Sequence, residues 1–495
     1  MKASSSAMAS PGADQQRERY LPALLALTGA ILLVLFLSYV IVMVNYPEDQ
    51  ATPLGISRPS VSLFARLWTY PDLVLSRTDF RSIALPVTAA LWMVYVYSEA
   101  VLRRAQATST RRRMAAVIAG FALLFSIVLL LVMPPVLSSD IFLYALFGRM
   151  AAMYHLNPFT TTAQALTNDS LFPYVYWQNV TSYYGPVWTL ISAAAAALAG
   201  HDVLLTTLAF KAVGGMFNLV NCVLVFVLAR RLTGGDGLAA LLLYAWNPLI
   251  LIESVGSGHN DVVMVTFALA SLLLLVDGRV LAGVAVLVAS VLVKFLSGIL
   301  LLFVVVTVLI RQTSRRAALA LAAGMAAAGA IVLVAAYLPF WSGLRNPGQL
   351  IGAGGALRAV ASNPLRVGMR EIVGIILTGG GPVTQQARDA AEGYLVPALN
   401  AVFVVIILYA VYRLARDRSD LAHVVQTWGV VSLIYIVLIY GGVFPWYMVS
   451  VLTIPLIGPD SRVNRLLLLA TVAVGFIFML FYAIPVPVPM VAASP

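Results

Sequence analysis

Residues 111–140 read RRRMAAVIAGFALLFSIVLLLVMPPVLSSD. Three arginines precede an unbroken apolar run, 115–135, and a bilayer-crossing helix needs about 20 apolar residues. Arginine clusters favour the cytoplasmic end of a span, so the run points outward from Arg111–Arg113. Pro134-Pro135 ends it, because proline lacks a backbone donor and clashes with the preceding turn. Ser138 or Ser139 then opens a new helix with Asp140 in its first turn. The stretch reads as cytoplasmic charge, transmembrane helix, break, and an acid delivered to the outer face.

The rest of the chain repeats that grammar. It has 495 residues, 61% of them hydrophobic and 10% charged, where soluble chains carry roughly 25% charged residues. Its mean hydropathy is +0.93. Backbone polar groups in lipid are satisfied only by helices or closed barrels, and the short alternating segments of a barrel are missing. The fold class is therefore an all-α polytopic membrane protein. The net charge of +11 sits largely in short arginine clusters between apolar runs. It reads as topology and contact with membrane lipids, not nucleic-acid binding. Cys222 is the single cysteine, which excludes an intrachain disulfide and a multi-thiolate zinc site.

Working outward, residues 1–19 form a polar cytoplasmic tail, and 20–495 form one transmembrane domain. Spans are expected at 21–44, 83–101, 115–135, 238–252, 262–276, 280–295, 296–310, 317–338, 394–412, 424–440, 448–458 and 466–484. With the region 187–229 they make about 13 crossings. That region holds two apolar segments, 187–199 and 203–229, and the arginine parity favours one net crossing. The two large outer loops are 138–186 and 339–392, each expected to carry short helices.

Polar groups from distant parts of the chain fall on the predicted outer face. On the helix after Pro135, Asp140, Tyr144 and Gly148 share one side by their spacing of four. Asp140 reads either as a first-turn acid favoured by the helix dipole or as a catalytic group. Asn260 and Asp261 begin a span and also suit capping. His259 beside them suits hydrogen bonding to a sugar hydroxyl or a phosphate oxygen. Lys294 interrupts an apolar run, and either snorkels to the interface or supplies a point charge for a lipid-linked phosphate; Arg149 has the same two readings. Trp446 and Tyr447 sit where interfacial aromatics belong, or stack on a sugar. The loop 339–392 carries Arg345, Arg358, Arg366, Arg370 and Arg388 against Glu371, Asp389 and Glu392. That excess suits an anionic partner at the outer leaflet, although long loops also translocate regardless of charge. Ionisable groups at membrane depth are costly and mark function.

In order along the chain stand Ser139-Asp140-x3-Tyr144, Gly148-Arg149-Met150, Asn157-Pro158-Phe159, Tyr184-Gly185-Pro186, Trp246-Asn247-Pro248-Leu249, Gly258-His259-Asn260-Asp261 and Lys294-Phe295. Pro445-Trp446-Tyr447 adds a further echo. The series resembles the GT-C integral-membrane glycosyltransferases, most closely the polyprenyl-phosphomannose-dependent α-1,6-mannosyltransferases of bacterial lipoglycan synthesis, over roughly 130–310.

The resemblance implies a GT-C-like fold and a sugar donor, mannose by likeness, carried on a polyprenyl phosphate. It implies a glycan or lipoglycan acceptor and an inverting hexosyl transfer with Asp140 as catalytic base. Tyr144, Arg149, Asn157, Tyr184, His259, Asn260, Asp261, Lys294, Trp446 and Tyr447 are the expected substrate-binding residues. No metal or other cofactor is assigned. The expected setting is the plasma membrane, with the N-terminus cytoplasmic and the site extracytoplasmic. The rival reading is a transporter or flippase for a lipid-linked sugar.

Overall fold

The computed structural model describes residues 11–45, 59–73, 75–341, 363–440, 443–459 and 461–481. Every regular element among them is helical. In chain order they are α1 (Pro11–Val44), α2 (Pro59–Phe64), α3 (Arg77–Arg103), α4 (Thr108–Val132), α5 (Asp140–Ala152), α6 (Pro186–Ala199), α7 (Val203–Thr233), α8 (Leu238–Ala245) and α9 (Pro248–Leu251). There follow α10 (Asp261–Val276), α11 (Val280–Val291), α12 (Gly298–Ile310), α13 (Arg315–Tyr337), α14 (Pro364–Leu377), α15 (Gln385–Arg416), α16 (Leu421–Ile434), α17 (Tyr447–Leu456) and α18 (Arg462–Phe481). Two short π-helical segments, Ile252–Gly256 and Tyr435–Ile439, interrupt the regular geometry.

Local chemistry explains many of the boundaries. Asp202, Asn247, Ser314, Asn363, Thr384 and Asp420 each accept a hydrogen bond from a first-turn amide of the helix that follows. This satisfies donors that the helix leaves open. Trp246-Asn247-Pro248 makes a bend of 52° between α8 and the segment that follows. There Asn247 also donates to the Tyr95 hydroxyl at 3.2 Å, and Trp246 Nε1 donates to the Ile118 carbonyl at 3.1 Å.

Among the described residues, α1, α3, α4, α7, α13, α15 and α16 together with its π-helical continuation to Ile439 are long and apolar enough to cross a membrane, and the bent pair of α8 and Pro248–Gly256 makes an eighth. Five further apolar helices are shorter. Length and composition alone thus qualify seven or eight helices among the described residues as crossings, fewer than the 13 or so expected, with the five shorter apolar helices left unassigned. The expected last span, 466–484, runs past the described residues. Between 186 and 233, α7 has 31 residues and α6 only 14, so only α7 qualifies as a crossing by length. Helix α1 starts at Pro11, inside the expected tail. On α13 and α15, Leu319, Ile331, Val334, Val404, Val405 and Leu408 are exposed, an apolar surface suited to lipid as solvent.

The bundle has two chemically distinct ends. At one, Arg111 pairs with Asp236 and Arg231 with Asp277, while Arg311 donates to the Ser419 carbonyl at 2.7 Å. Helix α4, of 25 residues, starts there and releases the Pro134–Ser139 connection to Asp140 at its far end, roughly 37 Å away at 1.5 Å per residue. Helices α10 and α11 link the same two ends through Asp277 and Lys294. They have 16 and 12 residues, which is short for a hydrocarbon layer about 30 Å thick.

Candidate active site

The far end gathers side chains from α5, the Tyr183–Gly185 turn, the Ser257–Asn260 turn, the start of α10, Lys294 and the start of α17. Asp140 opens α5 and is 7% exposed. Its amide donates to Ser138 Oγ at 3.2 Å. Ser139 stands at the cap position without making a side-chain cap, so Ser138 is the serine engaged here. The Tyr184 hydroxyl donates to Asp140 Oδ2 at 3.3 Å, and His259 Nδ1 lies 4.0 Å from the same oxygen. Burial pushes the Asp140 carboxyl up to about 6, against the opposing pull of Lys294 and the Tyr184 hydrogen bond.

The backbone around these groups is built for close approach. Gly185 donates its amide to the Val293 carbonyl at 3.2 Å, and Val187 donates to Leu292 O at 3.0 Å. A Cβ at position 185 would lie 2.0 Å from the Leu292 carbonyl oxygen, a separation no side chain tolerates. The Tyr184-Gly185-Pro186 motif is thus a backbone clamp that seats Tyr184 beside the strand of chain leading to Lys294. Gly258 has φ +69°, and a Cβ there would meet Ile141 at 2.7 Å. Glycine is needed for both reasons, and the turn it makes brings His259 over α5.

His259 is 1% exposed and held on every side. Its ring stacks on Trp446, with centroids 4.0 Å apart and planes 21° apart, and Trp446 in turn stacks on Phe444 at 4.6 Å. Nδ1 lies 3.4 Å from the Tyr144 hydroxyl, and Nε2 lies 3.3 Å from Glu253 Oε2. Burial and, secondarily, the Lys294 charge hold the imidazole well below its ordinary range, so the ring is neutral. Lys294 Nζ pairs with Asp261 Oδ2 at 2.7 Å and sits 4.3 Å above the Tyr447 ring. Asn260 is fully buried, and among the described residues neither of its side-chain polar atoms has a hydrogen-bond partner. Asp261 Oδ1 is also unpartnered. Buried polar groups are ordinarily satisfied, so open ones beside an acid and a lysine suit ligand recognition.

The structure thus brings together Asp140, Tyr144, Tyr184, His259, Asn260, Asp261, Lys294, Trp446 and Tyr447. Two expected binding residues are elsewhere engaged. Arg149 is fully buried and donates to Asp169 at 2.6 Å, Ser170 at 3.0 Å and Thr206 at 3.0 Å. Its charge is neutralised locally, and these bonds clamp the 153–185 loop to α7. Asn157 accepts from the Phe159 amide and donates to the Phe340 carbonyl at 2.8 Å, a turn and a tether. Trp446 is 5% exposed beneath His259 and Phe444, so it backs the histidine and offers no free face to a sugar. In the second loop, Arg366 pairs with Glu392, and both Arg370 and Arg388 pair with Glu371. Those arginines are not a free cationic surface. Arg345 and Arg358 lie outside the described residues.

Sequence reasoning passed over Glu253 and Lys211. Both are fully buried inside apolar runs, where periodicity gives no sign of what they face. Lys211 donates to the Leu129 and Met133 carbonyls at the end of α4 and lies 4.8 Å over the Phe64 ring. A cation there suits the negative end of the helix dipole. Among the described residues, no three His, Cys, Asp or Glu side chains gather to hold a metal ion.

Residues 66–311, about half of the chain, match a family model described as alpha-(1→6)-mannopyranosyltransferase, N-terminal domain. The chain is 29% identical over 211 residues to alpha-(1→6)-mannopyranosyltransferase A of Mycobacterium tuberculosis, covering 41% of this chain and 40% of that protein. It is 29% identical over 172 residues to the protein of the same description from Corynebacterium glutamicum, covering 34% and 35%. The aligned stretch thus spans well under half the length of these relatives. Among solved structures, an Archaeoglobus fulgidus oligosaccharyltransferase crystallised with zinc and sulfate overlays 74% of this chain and 53% of its own, at 16% identity and a TM-score of 0.39. A likeness at that level carries no argument.

Proposed function

Taking residues 66–311 as a domain of the alpha-(1→6)-mannopyranosyltransferase family, we propose that this membrane protein is an inverting glycosyltransferase. It moves a sugar, mannose by family likeness, from a polyprenyl-phosphate donor to a glycan or lipoglycan acceptor at the outer membrane face. The observation that carries this reading is the buried Asp140 carboxylate, faced by Tyr184, Tyr144 and His259.

Asp140 takes the proton of the acceptor hydroxyl as that oxygen attacks the anomeric carbon. The bond from that carbon to the phosphate oxygen breaks on the opposite face, and its electron pair leaves with the lipid phosphate. A carboxyl raised to about 6 is still mostly ionised at pH 7 and is a stronger base than a free aspartate. Lys294 keeps donors beyond the one given to Asp261 and stabilises the charge that develops on the leaving phosphate. Asn260 and the open oxygen of Asp261 face donor hydroxyls.

The test uses proteoliposomes supplied with radiolabelled polyprenyl-phosphate mannose and an acceptor oligosaccharide. Wild type forms a labelled acceptor, and Asp140→Asn loses transfer by about 10²–10⁴-fold while inserting normally. Movement of the lipid between leaflets without a glycosylated product would sink the transferase reading and favour the flippase.

A further inference from the structure

Behind Asp140 and His259 stands a carboxyl that the transfer chemistry above does not use. Glu253 lies in the π-helical segment Ile252–Gly256 and is 1% exposed. Its Oε2 lies 3.3 Å from His259 Nε2, and among the described residues neither atom has a hydrogen-bond partner, this contact being close but not aligned as a hydrogen bond in the unliganded site. The two residues are also joined through the backbone, since the His259 amide donates to the Glu253 carbonyl at 3.0 Å. Extra residues in a helical turn of this kind often accompany functional sites. Here the wide turn, followed by Gly258, sets both side chains within contact distance, where a small rotation of the carboxyl makes the bond.

We infer that Glu253 is a positioning residue: its protonated carboxyl donates to His259 Nε2, which places the ring proton on Nδ1, the nitrogen that faces Asp140 and Tyr144. The inference rests on the transferase reading for its consequence, though not for its geometry.

The charge count selects the direction of the bond. Asp261 is answered by Lys294 at 2.7 Å, which leaves Asp140 as the uncompensated negative charge that base catalysis needs. Glu253 has within ion-pair distance, among the described residues, only His259. The groups within electrostatic reach of it, Asp140, Asp261 and Tyr39 of α1, bring no positive charge. A second buried carboxylate there would carry a desolvation cost with no cation to offset it. A neutral Glu253 has one hydroxyl proton to give, and Nε2 is the acceptor it faces. The imidazole, neutral and pinned between Trp446 and Tyr144, must then hold its proton on Nδ1. Nδ1 lies 3.4 Å from the Tyr144 hydroxyl and 4.0 Å from Asp140 Oδ2 in the unliganded site, so a proton there favours the ionised base.

The chain has four histidines, so [15N]histidine NMR of the full-length protein in nanodiscs reads the tautomer directly. The His259 signals are assigned by their loss in His259→Gln. Wild type and Glu253→Gln, whose amide N–H can also donate, are expected to show a protonated Nδ1 and a bare Nε2. Glu253→Leu is expected to shift the ring toward the other tautomer. In the transfer assay Glu253→Leu loses about tenfold or more in kcat with donor KM unchanged, and Glu253→Gln stays within about threefold of wild type. A bare Nδ1 in the wild type overturns the inference. So does an active Glu253→Leu, or a Glu253→Gln as impaired as Glu253→Leu. Asp140→Asn is run in parallel: if that variant still transfers sugar, the base assignment fails while the tautomer result stands by itself.

Discussion

At the scale of single residues, Asp140 is a destabilising group, and the proposed base role accounts for its burial. Its carboxyl is raised from 3.8 to about 6 by burial, so the native state holds its proton more tightly than the unfolded chain. The stabilising contribution of that proton is complete below about pH 4 and is lost as pH rises through about 6. By linkage the ionised group costs on the order of 2–3 kcal/mol at neutral pH. Two outcomes are expected together. Transfer falls about tenfold per pH unit below about pH 6 as the base is protonated. Asp140→Asn, inactive, melts at a higher temperature than wild type at pH 7.5, with the gap shrinking at pH 4. A thermal-shift series in detergent beside the rate profile reads both, and an unchanged melting temperature would count against the buried-charge account. Asp140 was readable in sequence as a candidate because it follows a proline pair at a span end. Its surroundings were not, because Tyr184 and His259 lie 44 and 119 positions along, and no local pattern encodes a contact at that separation.

At the scale of elements, the motifs that carried the resemblance divide into two kinds. Tyr184-Gly185-Pro186 and Gly258-His259 shape backbone so that a side chain arrives in the site. Trp246-Asn247-Pro248 bends a helix, and Gly148-Arg149 anchors a loop. Gly185→Ala would drive a Cβ into the Leu292 carbonyl, so a loss of about 1–3 kcal/mol and a drop in transfer are expected together. Thermal midpoint and initial rate check this, and a fully active, stable alanine variant would refute the clamp. Arg149→Met strands a buried Asp169 carboxylate, at about 3–5 kcal/mol. The expected outcome is less folded protein with kcat per folded molecule retained, and partial rescue by adding Asp169→Asn. Quantifying folded protein by size-exclusion before the assay separates this from a phosphate-binding role, which would lower kcat in the folded fraction. Sequence alone weighed Arg149 and Lys294 equally, since both are lone cations among apolar residues. What separates them is the partner: Arg149 meets Asp169 far from the site, whereas Lys294 meets Asp261 inside it.

At the scale of the whole molecule, the arginine-rich end and the acid-bearing end are set apart by the length of α4. Helices α10 and α11, at 16 and 12 residues, rise only about 24 Å and 18 Å. That is less than the hydrocarbon thickness of about 30 Å. If the arginine end lies at the inner surface, the site sits several ångströms below the outer one, at the depth where a lipid-borne phosphate and its sugar can reach it. The single cysteine, Cys222, makes the orientation directly testable. In a Cys222→Ala background, Thr160→Cys, in an exposed part of the 153–185 loop, is expected to react with a membrane-impermeant maleimide in intact cells. Thr313→Cys, exposed between α12 and α13, is expected to react only after permeabilisation. The opposite pattern would move the site to the cytoplasmic side.

The sequence by itself determined the solvent and the class of the chain. Apolar runs can be stable only as helices in lipid, and their arginine flanks set the orientation expected of them, because both effects act within about 20 neighbouring residues. It also marked most of the residues that meet around Asp140. The tertiary structure alone decided which of them meet. It showed Trp446 as the backing of His259 in place of a sugar platform, Arg149 as a lock and Glu253 as the carboxyl behind the imidazole. Among the described residues it set seven or eight helices long enough to cross, with shorter apolar ones between, beside the thirteen or so crossings expected. Burial and pairing belong to packing between distant segments, and residue order carries no measure of them.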